Sequence, residues 1–544
     1  MGGYSSADVV AGIKSGQFLY SDYFLEPGSA EWLPLSLFIP EVKKKAPVSK
    51  KTSFQPTEEQ EDICKSLPGP GELMLINAYA GSGKTETLRL IAERHPEVKF
   101  TYLCYNRDTA DKAKQRFPKN VKCSTIHGLA YAAVGRYYKQ DYRVPSAWEV
   151  MHQFGVKLPY VAVLAVEAIT RYCNSSEKYL SALHFGENEL HRESILRKYP
   201  DLISISQKVW DEMVNLESPF PISHDGYLKL WSLRSPSIPG DVILHDESQD
   251  MNPVTLGILL EQKAKLNPAL VVVGDSHQAI YAWRGAVNTM ESLKGSANHR
   301  FNLRTSFRFG QGIADGASRV LQDLKGDAVR ILGAGPTKSD LPELVYIARK
   351  NASLLEMAIV RMKENSELSF HFAGTRMDAK WDPYYLYEFQ KPLDLLNLSK
   401  GRPELVVLEQ MKKFKSYDEV IALVEGDDEG DGVDRELAWF IEKLIKKYGD
   451  ELPDLIDELR SRSVAPSQAD MSFSTAHRSK GLEWENVVML DDFWVPREIT
   501  AEEPLDDDEK QEVNAIYVAM TRASVSIDYG PSLTKWLNAK GALK

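Results

Sequence analysis

The sequence predicts an α/β protein with two mainly parallel sheets, each flanked by helices and each interrupted by an inserted subdomain of mainly helical or mixed structure. Apolar runs of strand length alternate with helical periodicity in two separate parts of the chain, a pattern typical of parallel sheets with crossover helices. In the first part, we expect strands near 73–79, 99–105, 241–246 and 270–275. A second alternation opens near 299 and resumes near 471, with strands near 342–348, 368–373 and 486–491.

The breaks in these alternations define the predicted domains. A long helical, aromatic-rich segment interrupts the first alternation, and a segment with an acidic stretch interrupts the second. The predicted units are an N-terminal extension (1–53), a first α/β domain (54–128 and 239–300) with an inserted helical subdomain (129–238), and a second α/β domain (301–377 and 469–544) with its own insertion (378–468).

The composition is ordinary for a globular protein of several domains, with 544 residues that are 43% hydrophobic and 26% charged. No run of about 18 apolar residues is present, so no membrane span is predicted. The four cysteines are widely spaced, which argues for reduced thiols and against a zinc finger or an iron–sulfur cluster. We therefore expect an intracellular protein, cytoplasmic in a bacterium or nuclear in a eukaryote.

The formal net charge of −11 disfavours nucleic-acid binding unless the charge is unevenly placed. Two acidic stretches, residues 425–436 and 502–510, concentrate much of the negative charge. Such blocks are usually solvated loops. They leave room for a basic cleft elsewhere in the chain.

The segment "AYAGSGKT" at 78–85 has the spacing of a phosphate-binding loop between a strand and a helix. Its turn contains Gly81, Ser82 and Gly83, and the two glycines supply permissive backbone where crowding is worst. Such a turn can point successive backbone N–H groups at a phosphate chain, and the helix N-terminus adds partial positive charge. The segment therefore predicts a nucleotide site.

Two side chains of this loop would carry its chemistry. Lys84 would reach the β- and γ-phosphates, and the Thr85 hydroxyl would take one position on Mg²⁺. Ala78 stands where the pattern has its first glycine, and its methyl group is tolerated if its φ is negative. The alternative is a tight strand-to-helix turn with an exposed lysine.

Two adjacent carboxylates follow another apolar run in "VILHDESQD". At the end of a strand, Asp246 could hold Mg²⁺ and Glu247 could activate a water molecule. The alternative interpretation is a helix N-cap. After a phosphate-binding loop, the catalytic interpretation is favoured.

The segment "VVVGDSHQAIYAWRGA" follows a further apolar run. It places Gln278 where it could sense a γ-phosphate. Tyr281, Trp283 and Arg284 offer flat faces and a guanidinium suited to stacking on unpaired bases. Core packing is the alternative for the aromatic residues.

Two arginines come later in the chain. Arg308 lies in "LRTSFRFG" and Arg522 in "YVAMTRA". Each could stabilise negative charge on a transferred phosphoryl group. A surface salt bridge is the alternative for each.

These segments, in this order, resemble superfamily 1 DNA helicases of the UvrD/Rep type. The resemblance covers roughly 54–300, 301–375 and 470–530. It implies two RecA-like P-loop motor domains that face each other across an ATP site, with single-stranded DNA crossing both. The implied cofactors are ATP and Mg²⁺.

The resemblance also implies roles for individual residues. Gln60 would read adenine, Phe307 would stack on it, Glu483 would hold the ribose and Arg522 would be the arginine finger. The remaining matches imply contacts with DNA by Asn106, Arg107, Thr125, His127, His477 and Lys480.

Within this family, "INAYAGSGKT" and "YNRDTADKAKQRFP" resemble the helicase core of the F-box DNA helicase branch, which also tolerates alanine at the first glycine position. The first 53 residues contain no convincing F-box, so a ubiquitin-ligase role is not supported. Glu86 follows the loop threonine where many relatives have a basic residue near the adenine, which leaves nucleotide selectivity open. Ser248 replaces the commoner alanine in "DESQD", a small change.

The leading functional hypothesis is an ATP-driven 3′→5′ translocase that unwinds duplex DNA, with a role in repair or recombination. Its partners would be single-stranded DNA, junctions of single- and double-stranded DNA, and a protein such as a repair factor or nuclease. A second hypothesis is a translocase that strips proteins from single strands or drives a partner nuclease, with little unwinding alone. A third is a nucleotide-gated binding module, which intact Glu247, Arg308 and Arg522 disfavour.

Overall fold

The computed structural model describes residues 55–186, 188–280, 288–337, 344–373, 389–408, 410–412, 414–425, 432–497 and 503–542, together with two short strands nearer the N-terminus. These strands, β1 (Tyr23–Leu25) and β2 (Trp32–Pro34), pair in antiparallel orientation. Tyr281, Trp283 and Arg284, the predicted base-stacking residues, lie outside the described residues.

A six-stranded sheet forms the first half of the structure. Its strands are β3 (Leu73–Ala78), β4 (Phe100–Cys104), β5 (Val121–Thr125), β6 (Val242–His245), β7 (Ala269–Gly274) and β8 (His299–Leu303). The order is β5-β4-β6-β7-β3-β8, and every neighbouring pair is parallel. The four strands predicted for this half are present.

The two edge strands were misjudged from the sequence. The second alternation was expected to open near 299, but β8 pairs with β3 in the first sheet and covers an edge that would otherwise leave backbone groups unpaired. No strand was predicted at β5, because only Cys123 of its five residues is buried and the segment therefore has no apolar run.

Three helices follow strands or lead into them in this half. They are α1 (Glu58–Lys65), α2 (Lys84–Arg94) and α3 (Arg107–Arg116). Thr57 and Gln60 form a reciprocal capping box at the start of α1. The helices contribute Ile63, Leu88 and Ala110 to one of the two apolar clusters that cover the sheet.

The segment between β5 and β6 is helical, as predicted. Its helices are α4 (Ile126–Ala133), α5 (Ala147–Phe154), α6 (Pro159–Asn174), α7 (Glu189–Lys198), α8 (Leu202–Met213) and α9 (His224–Leu233). Helices α5 to α8 have cores of their own, which include Val150, Trp210 and Phe185. Helices α4 and α9 instead pack on the first sheet through Ile126 and Tyr227.

After this insertion, α10 (Pro253–Leu266) and α11 (Thr289–Leu293) complete the first half. No single helix among the described residues is long and apolar enough to cross a membrane, although the bent pair of α5 and α6 meets the length and composition criteria together.

The second half contains a short pair of strands and a five-stranded parallel sheet. The pair is β9 (Thr305–Ser306) and β10 (Leu332–Gly333). The sheet has the order β12-β13-β11-β14-β15, with β11 (Leu344–Ala348), β12 (Phe370–Phe372), β13 (Met471–Thr475), β14 (Trp484–Met489) and β15 (Ala523–Asp528).

The helices of this half cover both faces of the sheet. They are α12 (Gln311–Lys325), α13 (Asn351–Glu364), α14 (Gln390–Ser399), α15 (Tyr417–Glu425), α16 (Gly432–Phe440), α17 (Lys446–Tyr448), α18 (Leu452–Ser461), α19 (Asp507–Met520) and α20 (Pro531–Ala539). A π-helical turn, Ile441–Ile445, joins α16 to α17.

The second insertion differs from the first in how its core is built. Phe389, Phe440 and Leu459 of the insertion lie in the same apolar cluster as Phe372 and Phe473 of the sheet. This insertion therefore shares the core of the second sheet, whereas α5 to α8 of the first insertion have separate cores.

Candidate ATP site and nucleic-acid interface

The loop between β3 and α2 has the backbone of a phosphate-binding turn. Gly81 and Gly83 have φ values of +72° and +80°, in the left-handed region that favours glycine. A Cβ atom on Gly81 would lie 2.5 Å from Cβ of Arg308, so a side chain there would collide with its neighbour. Ala78 ends β3 and is not among the residues with positive φ, which explains why alanine is tolerated in place of the first glycine.

The predicted catalytic groups of the first sheet lie together beside this loop. Lys84 Nζ lies 3.2 Å from Glu247 Oε2. Thr85 Oγ1 donates a hydrogen bond of 2.6 Å to Asp246 Oδ2, which also accepts one of 2.9 Å from the hydroxyl of Tyr102. Glu247 has φ +53°, and this left-handed backbone turns the chain directly after Asp246.

The electrostatics separate the two neighbouring carboxylates. Burial and the adjacent Glu247 raise the pKa of Asp246. Burial alone would also raise the pKa of Glu247, but the charges of Lys84 and Lys480 hold it below its usual value. Burial would lower the pKa of Lys84, yet Glu247, with Asp275 and Asp246, holds it above its usual value. Glu247 and Lys84 are therefore an ion pair at neutral pH.

The geometry fits a nucleotide phosphate with Mg²⁺. The hydroxyl Oγ of Ser82 is buried in the loop and has no hydrogen-bond partner among the described groups. Thr85 and Asp246 bring two hard oxygen ligands together, which is the set that Mg²⁺ shares with phosphate oxygens. No group of three or more His, Cys, Asp and Glu side chains in the described part of the chain could hold a metal by itself.

Gln278 lies where the two sheets meet. Its Nε2 donates a hydrogen bond of 2.6 Å to Asp275 Oδ2, and its Oε1 accepts one of 3.2 Å from Arg522 Nη2. The hydroxyl of Tyr517, on α19, donates to the same oxygen of Asp275 at 3.2 Å and accepts from the backbone N–H of Ala80 at 3.1 Å. The sequence analysis missed Asp275 and Tyr517, although both lie within its quoted motifs.

Arg522 is buried at 1% exposure and is held by neutral oxygens. Its guanidinium donates to the carbonyls of Val518 and Leu482, to Gln278 Oε1 and to its neighbour's hydroxyl. Among the described residues, no carboxylate lies within ion-pair distance of it. Burial and the nearby charge of Arg308 lower its pKa to about 9, so it remains a cation at neutral pH.

Arg308 lies beside Arg522 and is more accessible. Its Nε pairs with Glu483 Oε2 at 2.9 Å, and its Nη1 donates to the carbonyl of Thr521 at 2.9 Å. Glu483, the predicted ribose ligand, is therefore the counter-ion of Arg308. Two guanidiniums thus lie next to the phosphate-binding loop.

The predicted adenine-binding residues Gln60 and Phe307 lie beside Gly83 of the same loop. Gln60 is fully buried, and its Nε2 donates to Thr87 Oγ1 at 3.0 Å. Phe307 is 40% exposed, and its backbone N–H donates to the carbonyl of Gly81 at 2.9 Å. The carboxylate of Glu86 pairs with Arg89 and Arg116.

Four predicted DNA contacts lie at the carboxyl ends of β4 and β5. Asn106 and Thr125 are the N-caps of α3 and α4, so their side-chain oxygens already accept backbone N–H groups. Arg107 is 91% exposed along its side chain. His127 Nε2 lies 3.1 Å from Asp225 Oδ1, on the first helix turn of α9. Arg107 is therefore the most accessible cation of this group.

Lys480, a predicted DNA contact, forms an ion pair with a carboxylate of the first sheet. Its Nζ lies 2.5 Å from Asp250 Oδ2 and donates to the carbonyl of Gln278 at 2.5 Å. Both side chains of this ion pair are less than 10% exposed. In this structure a buried carboxylate of the first sheet takes the charge of Lys480, and the expectation that Lys480 faces DNA stays a prediction.

His477 is partly buried, near Arg349 and the backbone of Ile280. Burial and the charge of Arg349 lower its pKa to about 4, so the imidazole is neutral at physiological pH. A neutral ring cannot bind a phosphate through charge, so its predicted DNA contact would require stacking or hydrogen bonding.

Three exposed tyrosines lie at the carboxyl end of β4 and along α4, and none of them was predicted from the sequence. Tyr105 directly follows β4, and Tyr131 and Tyr137 lie on and just after α4. The guanidinium of Arg136 lies 4.9 Å from the ring centroid of Tyr137. Exposure of a side chain cannot be seen in a sequence, so the signal that could have indicated these tyrosines was the position of Tyr105 next to the predicted DNA contact Asn106.

Comparisons with known proteins agree with this architecture. The model of a family described as an AAA domain matches residues 63–284, and that of the UvrD-like helicase C-terminal domain matches 391–526. The F-box DNA helicase 1 of Gallus gallus is 28% identical over 517 residues, which cover 89% of this chain and 50% of that protein. The F-box DNA helicase protein 1 of Schizosaccharomyces pombe is 27% identical over 527 residues, 88% of this chain and 58% of that protein.

A shorter match is to the RecBCD enzyme subunit RecB of Mycobacterium tuberculosis, 32% identical over 83 residues, 15% of this chain and 8% of that protein. Two parallel sheets with a phosphate-binding loop at their junction define a two-part P-loop protein. The two family models and the two F-box DNA helicase relatives together support a UvrD-like superfamily 1 helicase. It spans about half the length of the curated relatives it matches.

Proposed function

We propose that the chain is an ATP-driven motor that moves along single-stranded DNA and unwinds duplex DNA, with 3′→5′ polarity. The observation that carries the proposal is the pair of guanidiniums beside the phosphate-binding loop. Arg522 is a buried cation with only neutral oxygen acceptors among the described residues, and Arg308 lies next to it. A buried charge without a counter-ion is costly, so an anionic ligand would stabilise this arrangement. The polarity rests on the family resemblance alone.

Each group then has a proposed task in phosphoryl transfer. Lys84 binds the phosphates, Thr85 and Asp246 hold Mg²⁺, and Glu247 accepts a proton from the attacking water. Mg²⁺ would neutralise charge on the phosphate oxygens when bound with the nucleotide. The lowered pKa keeps Glu247 ionised, which is the form that can accept a proton.

The contacts between the two sheets suggest how hydrolysis would move the protein. Gln278 of the first sheet bonds Arg522 of the second, and Lys480 of the second sheet pairs with Asp250 of the first. A nucleotide that binds Gln278 and Arg522 would change the first contact. We propose that the sheets close on ATP and open after hydrolysis, with DNA held across both.

The proposed DNA path begins at the carboxyl edge of the first sheet. The exposed side chains of Arg107, Arg136, Tyr105, Tyr131 and Tyr137 supply positive charge and flat faces there. Such surfaces bind single strands with little sequence preference and with strong salt dependence.

The direct test combines two measurements on one preparation. ATP turnover should require Mg²⁺ and rise strongly with single-stranded DNA. Strand displacement with ATP should occur on duplexes with a 3′ tail and not on those with a 5′ tail. ATP turnover that does not change with single-stranded DNA would overturn the motor proposal. Strand displacement only on duplexes with a 5′ tail would overturn the proposed polarity.

The translocase alternative gives a different pattern. The 83-residue similarity to RecB, a subunit named as part of an enzyme complex, keeps open that this chain powers a partner. In that case, DNA-stimulated turnover and displacement of a bound protein from single strands would be observed without unwinding.

A further inference from the structure

One carboxylate outside the predicted site contacts two of its segments at once. Asp327 follows α12, and its Oδ2 accepts a hydrogen bond of 2.5 Å from the hydroxyl of Tyr79. The same oxygen lies 2.8 Å from His277 Nε2. The other oxygen, Oδ1, accepts the backbone N–H of Val329 at 3.0 Å, which fixes the carboxylate.

The two partners of Asp327 flank the groups that bind phosphate. Tyr79 directly follows β3 and opens the phosphate-binding loop, since its carbonyl accepts the backbone N–H of Ser82. His277 directly precedes Gln278. The rings of Tyr79 and His277 stack with centroids 5.9 Å apart and an interplanar angle of 24°. Asp327 therefore connects both segments through their side chains.

The electrostatics fit a fixed anion. Burial alone would raise the pKa of Asp327, but the hydrogen bonds from His277 and Tyr79 lower it to about 2. Burial and the nearby carboxylate raise the pKa of Tyr79, so Tyr79 remains a proton donor. Nδ1 of His277 is buried without a hydrogen-bond partner among the described groups, so Asp327 makes the side-chain hydrogen bond that fixes this ring, which also contacts the rings of Tyr79 and Tyr517.

Asp327 and the two segments belong to different parts of the chain. Helix α12 packs on the second sheet, and Tyr79 lies in the same apolar cluster as α12 although it follows a strand of the first sheet. Tyr517 makes a parallel connection, because its hydroxyl bonds Ala80 and Asp275. Asp327 and Tyr517, both from the second half, thus connect the phosphate-binding loop to the segment that contains Gln278.

We propose that Asp327 is a positioning residue that holds the phosphate-binding loop and the Gln278 segment in register through Tyr79 and His277. The inference rests on the proposed function of the site. Asp327 contacts neither of the predicted phosphate ligands Lys84 and Gln278, so it acts through its two partners. Its loss should disturb the orientation of Gln278 more than the capture of nucleotide, because Tyr79 N–H still donates to the carbonyl of Leu303.

The test uses the Asp327→Asn and Tyr79→Phe variants of the full chain, with Asp315→Asn as the matched control. Asp315 lies on the same helix α12 and pairs with Arg330 at 3.0 Å, away from the loop. We expect Asp327→Asn to lower kcat for ATP about tenfold or more, on the scale of lost groups that orient a ligand-binding residue. The affinity for a fluorescent ATP analogue should change less than threefold, and Asp315→Asn should behave as wild type.

A double variant separates positioning from general stability. If Asp327 acts through Tyr79, the Tyr79→Phe/Asp327→Asn variant should turn over no more slowly than Asp327→Asn alone. Asp327→Glu keeps a carboxylate and should have a higher kcat than Asp327→Asn. A purely structural role of Asp327 does not predict this difference. Thermal melts on the same samples report folding.

Each outcome decides the inference. Wild-type kcat in a folded Asp327→Asn variant overturns it, and so does a fall in nucleotide affinity that equals the fall in kcat. If Asp327→Asn does not fold, Tyr79→Phe alone must lower kcat at constant affinity, or the inference is overturned. If wild type itself shows no DNA-stimulated turnover, the proposed function fails instead.

Discussion

The two sheets contribute to the candidate ATP site in different ways. On the side of the first sheet, cations and carboxylates neutralise each other, as in Lys84 with Glu247. On the side of the second sheet, Arg522 is surrounded by neutral oxygens, and the ion pair of Arg308 with Glu483 is partly open to solvent. The positive charge of Lys84 is therefore neutralised on the first side, whereas the positive charge of Arg522 on the second side is not neutralised by a carboxylate among the described residues.

This difference shows where a ligand would change the protein most. An anion bound between the sheets would pair with Arg522, which has only neutral acceptors among the described residues. On the first side, the same anion would replace Glu247 as the partner of Lys84. Under the proposed function, phosphate would bind on the first side and the second side would respond to it. Four groups of variants test this division.

The largest expected effect is the loss of chemistry on the first side. Lys84→Ala and Glu247→Gln should each lower ATP turnover by about 10³- to 10⁵-fold, the scale of groups lost from phosphoryl transfer. Glu247→Gln should still bind nucleotide, because Thr85 and Asp246 remain. Steady-state turnover and nucleotide titration measure the two effects.

The control for these variants is Glu93→Gln, which removes an exposed ion-pair partner of Arg89 on the same helix α2. Near-normal turnover in Lys84→Ala or Glu247→Gln would show that the first side does not hold the reacting groups.

Lys480 is the exception to the comparison, because this second-sheet cation pairs with a first-sheet carboxylate. Lys480→Met leaves Asp250 buried without its partner and should destabilise the fold by about 3–5 kcal/mol. The Lys480→Met/Asp250→Asn double variant should regain most of that loss. Chemical denaturation measures both.

A different result would support the expectation that Lys480 faces DNA. If Lys480→Met unfolds like wild type but binds single-stranded DNA more weakly, the side chain faces DNA in the working protein and the ion pair contributes little.

A smaller effect is expected from Arg522→Lys. An ammonium cannot reproduce the donors that the guanidinium directs to Val518, Leu482 and Gln278, so turnover should fall about 10²- to 10³-fold. Arg308→Lys keeps a cation near Glu483 and should cost less. If Arg308→Lys is the more damaging change, the responsive group is the accessible arginine and the comparison must be reversed.

The smallest effect is a pH dependence of stability that both sheets share. His245, the last residue of β6, and His477, just after β13, both have pKa values lowered to about 4, in each case mainly by burial. Between pH 4 and the ordinary pKa of about 6.5, the unfolded chain binds more protons, so stability falls as pH falls. Each residue should cost roughly 1.4 kcal/mol at pH 5.5.

Thermal melts between pH 7.5 and 5.5 test this expectation. His245→Gln and His477→Gln should each make stability less sensitive to pH. An unchanged slope in one variant would mean that the histidine of that sheet binds protons equally in the folded and unfolded states.

Much of the fold and part of the candidate site could be predicted from the sequence. Buried strands such as β3 and β7 are nearly continuous apolar runs, because both faces of a parallel sheet are covered, and this pattern is visible without a structure. Lys84 and Thr85 could be placed because they follow such a run after a short glycine-containing loop, and Asp246 and Glu247 because they come directly after another run. Both pairs lie at the edge where parallel strands end together, so the sheet brings them into one site.

The tertiary structure decided everything that depends on a partner distant in the chain. The edge strands β5 and β8 carry no apolar run and are strands because a neighbour pairs with their backbone. Lys480 lies next to Asp250, 230 residues earlier, and no motif spacing encodes that a carboxylate rather than a phosphate takes its charge. Asp327 gained its contacts in the same way, because packing of α12 against the second sheet brings one carboxylate to Tyr79 and His277 together.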